Sequence, residues 1–158
     1  MLVREYEARD HAAVWGLHVE ALSAVGALYP GPWDDDFTRI NEVYLNSGGT
    51  FLVGELDGSI VAMGALRPID PVTAEIKRMR ILPQLQRRGL GSLILQALER
   101  HAAERGFVYL ELDTTTEQHA ARAFYERHGY RAVEVRRAAH ADQVVYKKTL
   151  GPCRTHQP

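Results

Sequence analysis

The chain lacks several features that mark secreted, membrane-spanning or redox proteins. It has a single cysteine, Cys153, among 158 residues, which excludes a disulfide within the chain and a CxxC redox or zinc pair. The longest nearly unbroken apolar run, residues 60–66, is far shorter than the ~20 residues of a membrane-spanning helix. Charges at Arg4, Glu5 and Glu7 interrupt the region where a signal peptide is apolar, so we expect a cytoplasmic protein with no membrane partner.

An excess of one charge sign is also missing. With 19 basic and 20 acidic side chains the formal net charge is -1, so we expect no nucleic-acid partner. The charges are unevenly placed along the chain. Residues 76–98 contain five basic side chains and no acid, whereas residues 1–36 contain seven acids and two arginines. The chain therefore has one basic segment, whereas the rest of the sequence carries a net negative charge.

Metal-ligand and hydrolase signatures are absent as well. The seven histidines form neither HExxH nor another metal-ligand spacing, so we expect no metal. No GxSxG sequence is present to place the nucleophilic serine of a hydrolase. These absences favour scattered surface histidines over a metal site and argue against a serine hydrolase of the GxSxG type.

The composition is that of one globular domain. Hydrophobic residues make up 46% and charged residues 25% of the chain, close to the averages for soluble domains, and the length leaves no room for a second core. Hydrophobic periodicity predicts the element order β-α-α-β-β-β-α-β-α-β-β. We therefore expect an α/β (α+β) domain over residues 1–150, with a mixed sheet of about six to seven strands and about four helices. Residues 151–158 are expected to be a disordered tail.

Turn and cap residues place two of these elements. Asp57-Gly58 between two apolar runs predicts a two-residue hairpin turn, and residues 60–66 form a central strand because both faces are apolar. Asp34 or Asp35 is a candidate cap for a second helix. The apolar face of that helix is expected to carry Phe37, Ile40 and Tyr44.

A glycine-rich loop before a helix is the most informative segment. A strand over residues 74–82 is stopped by Pro83, and an amphipathic helix begins near Gly91. The first amides of a helix are unpaired and positively polarised, and glycine lets a ligand approach the backbone closely. Because Arg87 and Arg88 stand just before the glycines, and Arg78 and Arg80 on the preceding strand can add charge-assisted contacts, this segment predicts a phosphate-binding site.

Two other phosphate-binding loops fit this segment poorly. A nucleotide-hydrolysing P-loop requires GxxxxGK[ST], and Ser92 follows Gly91 with no lysine between them. A dinucleotide fingerprint requires GxGxxG directly after its strand, but Ile94 stands where the third glycine belongs. Residues 83–88 also separate the strand from the glycines. Neither loop type accounts for the segment.

Two motifs resemble those of the GNAT superfamily of N-acyltransferases. The run Gln86-Arg87-Arg88-Gly89-Leu90-Gly91 is similar to the family's [QR]-x-x-G-x-[GA] acyl-CoA pyrophosphate loop, and Ile81-Leu82-Pro83 stands before it as the family's V-x-P-type strand end does. Residues 121–130 are similar to the family's A-x-x-x-Y-x-x-x-G-[FY] helix and strand start. Both motifs have the family's spacing, and the element order matches over residues 2–150. The chain departs from the pattern at Gln118, where many relatives have asparagine.

The resemblance implies an acyl-CoA-dependent N-acetyltransferase. Such an enzyme transfers an acetyl group from acetyl-CoA, its co-substrate, directly to an amine in a ternary complex and uses no metal. In relatives the strand before the loop is splayed or bulged, so that its amides face the thioester carbonyl; an ordinary strand is the alternative here. The residues that the resemblance assigns to acetyl-CoA are Met79, Arg80, Ile81, Gln86, Arg87, Arg88, Gly89, Leu90, Gly91, Ser92 and Gln118.

The resemblance also assigns two catalytic residues. Tyr125 matches the tyrosine that protonates the departing thiolate, although a core aromatic on the packing face of its helix is the alternative. Glu75 stands where many relatives place the acid that deprotonates the amine, often through water. The alternative for Glu75 is a strand-edge carboxylate paired with Lys77 or Arg78. An amine of pKa ~10.4 is almost wholly protonated at pH 7, so its proton must be removed.

The acceptor is defined only as a small-molecule or peptide amine. In relatives the N-terminal helices line the acceptor side, so Asp34 beside Trp33 is a candidate site for a cationic amine. We favour the alternative that Asp34, Asp35 and Asp36 are helix caps. A CoA-binding sensor without turnover is the alternative function, and the final strands are candidates for pairing across a homodimer.

Overall fold

A seven-stranded mixed sheet organises the computed structural model, which describes residues 1–29 and 31–151. The strands are β1 (Leu2–Glu5), β2 (Thr50–Leu56), β3 (Ser59–Pro68), β4 (Thr73–Ile81), β5 (Tyr109–Thr115), β6 (Arg131–Arg136) and β7 (Gln143–Thr149). The α-helices are α1 (His11–Ala24), α2 (Leu90–Glu104) and α3 (His119–Arg127). Short 3-10 turns span Ala8–Asp10, Pro32–Thr38 and Pro83–Leu85, and one π turn spans Asn41–Leu45.

The sheet confirms the predicted fold class. Its strand order is β1-β2-β3-β4-β5-β7-β6, and among the described strands β4 and β5 form the only parallel pair. One domain contains all of these elements, in the order the periodicity predicts except at the second predicted helix. Of the predicted tail at 151–158, only Gly151 falls within the described residues, and Cys153 lies outside them.

The hairpin between β2 and β3 forms where the sequence predicts it. Asp57 and Gly58 have φ of 50° and 80°, the positive values that a tight two-residue turn requires. β3 pairs with β2 on one side and β4 on the other, and Val61 to Leu66 are buried in an unbroken run. The prediction of a central strand covered on both faces is therefore confirmed.

Two hydrophobic cores cover the two faces of the sheet. The core beneath α2 and α3 includes Ile94, Leu98 and Tyr125, all with at most 8% of their surface exposed. The core beneath α1 includes Val14, Leu17 and three side chains from the segment between α1 and β2. Those side chains are Phe37, Ile40 and Tyr44.

The second predicted helix forms only as two short turns. Its apolar residues are buried as expected, but the backbone runs through a 3-10 turn at Pro32–Thr38 and a π turn at Asn41–Leu45. Arg78 donates to both Asp34 and Asp36. Residues two positions apart do not share a face of an α-helix, so this double contact favours the irregular backbone.

Candidate active site

A cleft opens where β4 and β5 part. The two strands pair from Thr73 opposite Tyr109 to Glu75 opposite Glu111 and no further. Beyond that point β4 continues against β3 alone, while β5 continues against β7. The facing edges of β4 and β5 beyond Glu75 and Glu111 are therefore open to a ligand.

A bulge interrupts β4 beside this cleft. Lys77 pairs with Ala65 and Arg80 with Met63, so three steps of β4 oppose two steps of β3. The extra residue falls at Arg78, whose φ of 58° is unusual for a non-glycine residue. The alternative of an ordinary strand is wrong. The bulge changes the direction of the β4 backbone after Arg78, beside the open edge.

The helix start predicted to bind phosphate lies at one end of the cleft. Gly89 precedes α2 in the left-handed conformation with φ of 79°, and Arg87 and Arg88 are exposed beside it. A Cβ placed on Gly91 would lie 3.4 Å from the Phe124 ring, so α2 begins in close contact with α3. The first amides of the 15-residue helix are thus available for an anion.

Ser92 joins the start of α2 to the end of α3. Its Oγ lies 2.9 Å from Nε2 of His128, and Nδ1 of the same ring lies 2.8 Å from the carbonyl oxygen of Phe124. A carbonyl can only accept, so Nδ1 carries a proton. In neutral His128 the Ser92 hydroxyl therefore donates to Nε2, and its oxygen remains free to accept.

Tyr125 lies on α3, on the opposite side of the sheet to α1. The residue is 8% exposed, and its hydroxyl has no hydrogen-bond partner among the described residues. By contrast, the hydroxyls of Tyr44, Tyr130 and Tyr146 donate to Asp36, Glu99 and Glu126, respectively. Burial raises the pKa of Tyr125 to about 12, and the charge of Arg80 opposes this rise. The phenol is therefore protonated at neutral pH and its hydroxyl is not engaged by the chain.

Glu75 stands at the last paired position before the strands part. Its Oε1 accepts a long hydrogen bond of 3.4 Å from Arg67 and lies 3.6 Å from Nζ of Lys77. The predicted partner Lys77 is therefore present, whereas Arg78 turns elsewhere. Both contacts are longer than a close ion pair, so Glu75 is held only loosely by its two basic neighbours.

Gln118 precedes α3 and bonds within the chain. Its Oε1 accepts a hydrogen bond of 2.7 Å from the hydroxyl of Thr114. No side-chain hydrogen bond caps the helix at this position. The amide nitrogen remains the group through which Gln118 could donate to a ligand in place of the usual asparagine.

The acidic run after α1 does not cap a helix. The Arg78 guanidinium binds Asp34 at 3.0 Å, Asp36 at 2.9 Å and the carbonyl oxygen of Trp33 at 2.7 Å. It also lies 4.9 Å from the Phe37 ring centroid. Gly31, and neither Asp34 nor Asp35, occupies the cap position. The cap prediction is wrong, because the carboxylates of Asp34 and Asp36 are satisfied by a cation 42 or more residues away.

Trp33 lies at the outer edge of the same region. Its indole N–H donates to the carbonyl oxygen of Tyr29 at 2.9 Å, and half of its surface is exposed. The Tyr29 ring stacks on His140 with centroids 4.6 Å apart, and Trp33 meets His140 edge-on. The loop between β6 and β7 therefore contacts the segment after α1 across the α1 face of the sheet.

His18 of α1 is fully buried beneath Arg78 and Asp34. Its Nε2 lies 3.2 Å from Asp34 Oδ1, but neither ring nitrogen makes a hydrogen bond within the described residues. Burial, and then the positive charge of Arg80, lower the pKa of His18. The ring is therefore neutral at pH 7 and packs 4.6 Å from Phe37.

Asp113 is a residue of the cleft that the sequence analysis did not single out. It follows Glu111 on the same face of β5, beyond the last residue paired with β4. Desolvation and the charge of Glu75 raise its pKa. The signal was present in the alternation of β5, which predicts that Asp113 and Glu111 share the polar face. Only the parting of the strands shows that this face borders the cleft.

Neither a metal centre nor a membrane span is found in the described part of the chain. Across residues 1–29 and 31–151, no three histidine, cysteine, aspartate or glutamate side chains group so as to hold a metal ion. Over those residues no helix is both long and apolar enough to cross a membrane.

Comparisons with known proteins agree with this arrangement. Residues 19–130 match the sequence profile described as the acetyltransferase (GNAT) family. An uncharacterized N-acetyltransferase, YjgM of Escherichia coli, is 30% identical over 105 residues, which cover 64% of this chain and 62% of that protein. The chain thus spans about three fifths of the length of this relative.

Solved structures are similar over nearly the whole chain. The acetyltransferase of Streptococcus agalactiae superposes with a TM-score of 0.86 at 23% identity, covering 94% of this chain and 98% of that one. A GNAT family acetyltransferase of Elizabethkingia anophelis with acetyl-CoA bound superposes with a TM-score of 0.74 at 18% identity, covering 94% and 97%. At these sequence identities, the similarity to the solved structures shows a shared fold and nothing more specific.

Proposed function

The chain belongs to the acetyltransferase (GNAT) family, and from this premise we propose that it transfers the acetyl group of acetyl-CoA directly to the primary amine of an acceptor. One observation carries the proposal: the parting of β4 from β5 leaves an open edge, and the charges of Arg80 and Asp113 from those two strands act on the unengaged Tyr125 hydroxyl. The open edge accommodates an extended thioester, and the phenol supplies a proton where the sulfur leaves.

We place the pyrophosphate of acetyl-CoA at the start of α2. The helix amides and the exposed Arg87 and Arg88 together favour a group with several negative charges. The Ser92 hydroxyl donates there only when it releases Nε2 of His128, and Gln118 contributes its amide nitrogen farther along the cleft. The acceptor oxygens of a pyrophosphate match these donors, so the residues present fit the co-substrate.

The bulge of β4 supplies the groups for the acyl end. Amides of Met79, Arg80 and Ile81 lie along the edge that β5 leaves open. We assign one or more of them to the thioester carbonyl oxygen, which becomes negatively charged as the amine attacks. Preorganised backbone donors need no side chain, which accounts for the absence of an obvious oxyanion residue in the sequence.

Tyr125 is the proposed acid. Its raised pKa keeps the proton in place until a thiolate forms, and burial in the same apolar region raises the pKa of a thiol as well. The transfer from phenol to sulfur is therefore less uphill than the phenol's pKa alone suggests. The positive charge of Arg80 favours the phenolate that remains.

Glu75 is the proposed base for the amine. It lies where the strands begin to part, on the same face as Asp113 and the acceptor side. Trp33 forms the outer wall of that side, while Asp34 acts through Arg78 and no longer offers a free carboxylate to a cationic amine. A CoA-binding sensor is the second candidate, and it predicts binding without turnover.

A panel of primary amines with acetyl-CoA tests the proposal. Release of free CoA thiol is followed spectroscopically, and binding of acetyl-CoA is measured by calorimetry in parallel. Thiol release that requires an amine supports the transferase. Binding of acetyl-CoA with no thiol release from any amine supports the sensor, and absence of binding contradicts both.

A further inference from the structure

The bulge in β4 determines which of its side chains face α1. Simple alternation from Lys77 would place Arg80 on the opposite face. The register instead sets Lys77 against Ala65 and Arg80 against Met63, and both partners belong to the core beneath α1. Directly opposed residues share a face of the sheet. Arg80 therefore lies on the α1 side, beside the open edge of β4.

The charge of Arg80 acts on groups from both faces of the sheet. Its positive charge contributes to the lowered pKa of His18 in α1 and opposes the rise in the pKa of Tyr125 in α3. His18 and Tyr125 belong to elements on opposite faces. A side chain can approach both of them where β4 and β5 part, which is the proposed reaction centre.

Most hydrogen-bonding capacity of Arg80 is unused within the described residues. Nη1 donates to the carbonyl oxygen of Met79 at 2.8 Å. Nε is buried, and residues 1–29 and 31–151 offer it no partner and no ion pair. The nearby carboxylates of Asp34 and Asp36 are hydrogen-bonded to Arg78 instead. These two carboxylates partly offset the positive charge of Arg80 without accepting a hydrogen bond from it.

An arginine in this state is suited to an anionic ligand. Burial, and then the charge of Arg78, lower the pKa of Arg80 to about 10, so it remains protonated at neutral pH. Nε is shielded from solvent, whereas Nη2 makes no hydrogen bond within the described residues, so a ligand that binds Nη2 offsets part of the cost of burying this cation. The parallel N–H groups on one edge of a guanidinium match the two oxygens of a carboxylate.

We propose that Arg80 binds the carboxylate of the acceptor, and that the acceptor is an amino acid or another amine that carries a carboxylate. This inference rests on the proposed function, because it places the reacting amine where β4 and β5 part. The phosphates of acetyl-CoA are assigned to the start of α2, where Arg87 and Arg88 lie. Arg80 faces the α1 side and holds the carboxylate so that the amine lies near Tyr125.

Matched acceptors test this assignment. Thiol release from acetyl-CoA is measured with the common amino acids, β-alanine and γ-aminobutyrate, and with the carboxylate-free amines putrescine, spermidine and tyramine. Each amino acid that reacts is then compared with its primary amide. We expect kcat/KM to fall about tenfold or more from acid to amide, mainly through KM, because the amide cannot replace the charged acceptor.

Substitution of Arg80 distinguishes acceptor binding from an effect on the leaving group. In Arg80→Met both acceptors lose what the charge contributes to the Tyr125 phenolate, but the acid is expected to lose about tenfold or more in kcat/KM beyond the loss of the amide, and Arg80→Lys recovers part of that difference. Arg4→Met is the control, since Arg4 pairs with Asp10 and Glu55 in another part of the sheet. The control should leave the ratio of acid to amide unchanged.

Several outcomes overturn the assignment. Equal rates for acid and amide in the wild-type protein, or reaction with carboxylate-free amines alone, contradict it and leave the transferase intact. Equal losses for both acceptors in Arg80→Met show that the charge acts on the reacting atoms instead. If no amine reacts although acetyl-CoA binds, the proposed function fails together with the assignment. The comparison of wild-type rates does not depend on whether a variant folds.

Discussion

Arg78 and Asp36 join the bulge of β4 to the segment that follows α1. Nε and Nη2 of Arg78 both donate to the carboxylate of Asp36, whose Oδ2 also accepts from the Tyr44 hydroxyl. The side chain of Arg78 is 9% exposed and that of Asp36 is 14% exposed. One buried ion pair therefore fixes the backbone where we place the acyl group to the segment that borders the acceptor.

Replacement of Arg78 tests how much this ion pair contributes. Arg78→Met leaves Asp34 and Asp36 buried without their cation, and we expect the free energy of unfolding to fall by about 3–5 kcal/mol. Denaturant unfolding measures the loss. Arg39→Met removes the exposed pair with Glu42 and should have little effect. Similar losses in the two variants would show that the buried pair adds no more than a surface contact.

Tyr125→Phe tests the proposed acid. Removing the hydroxyl leaves the packing of the ring in place, so affinity for acetyl-CoA should change little while kcat falls roughly ten- to a thousandfold. Steady-state kinetics and calorimetry separate the two quantities. Tyr130→Phe is the matched control, since that hydroxyl donates to Glu99 away from the cleft. An unaltered kcat in Tyr125→Phe would remove this residue from the mechanism.

The sheet and the order of elements could be predicted because both depend on local patterns. The alternation of β5 and the positive φ of Asp57 and Gly58 are examples that the structure confirms. The bulge of β4 could not be predicted from periodicity, since the sequence of residues 77–80 is equally compatible with a regular strand. One inserted residue changes the faces of everything after it.

The partners of the acidic run could not be predicted for a different reason. Asp34 and Asp36 lie just inside a helical segment, where local chemistry favours caps. Their actual partner, Arg78, is far away in sequence and is brought near only by the packing of α1 on the sheet. A tertiary ion pair of this kind overrides local preference. Arg80 was predicted for its backbone amide and as a charge beside the phosphate loop, and a single sequence does not show which buried cations lack a partner.

Glu75→Gln tests the proposed base through its pH dependence. At pH 7 the amine is protonated and needs the base, so we expect kcat/KM to fall by roughly 10²-fold. As the pH approaches the amine's pKa, the free base forms in solution and the deficit should shrink. Glu111→Gln is the control, as Glu111 is the register partner of Glu75 on β5. A deficit that stays constant with pH would indicate a structural role for Glu75.

His18 makes folding stability depend on pH above the range where carboxylates titrate. Its pKa is lowered in the folded protein, chiefly by burial, whereas in the unfolded chain it is near ~6.5. Below that value the unfolded chain binds a proton that the folded protein does not, so stability is full above about pH 6.5 and falls with decreasing pH. The slope approaches about 1.4 kcal/mol per pH unit until the folded pKa is reached.

His18→Phe should remove that dependence while keeping an aromatic ring against Phe37. We expect the variant to lose less stability than the wild-type protein between pH 7 and 5, whatever its stability at pH 7. Urea unfolding at both pH values measures the difference, and His119→Phe, an exposed residue at the start of α3, is the control. Parallel losses in wild-type protein and His18→Phe would mean that His18 takes up its proton equally well in the folded state.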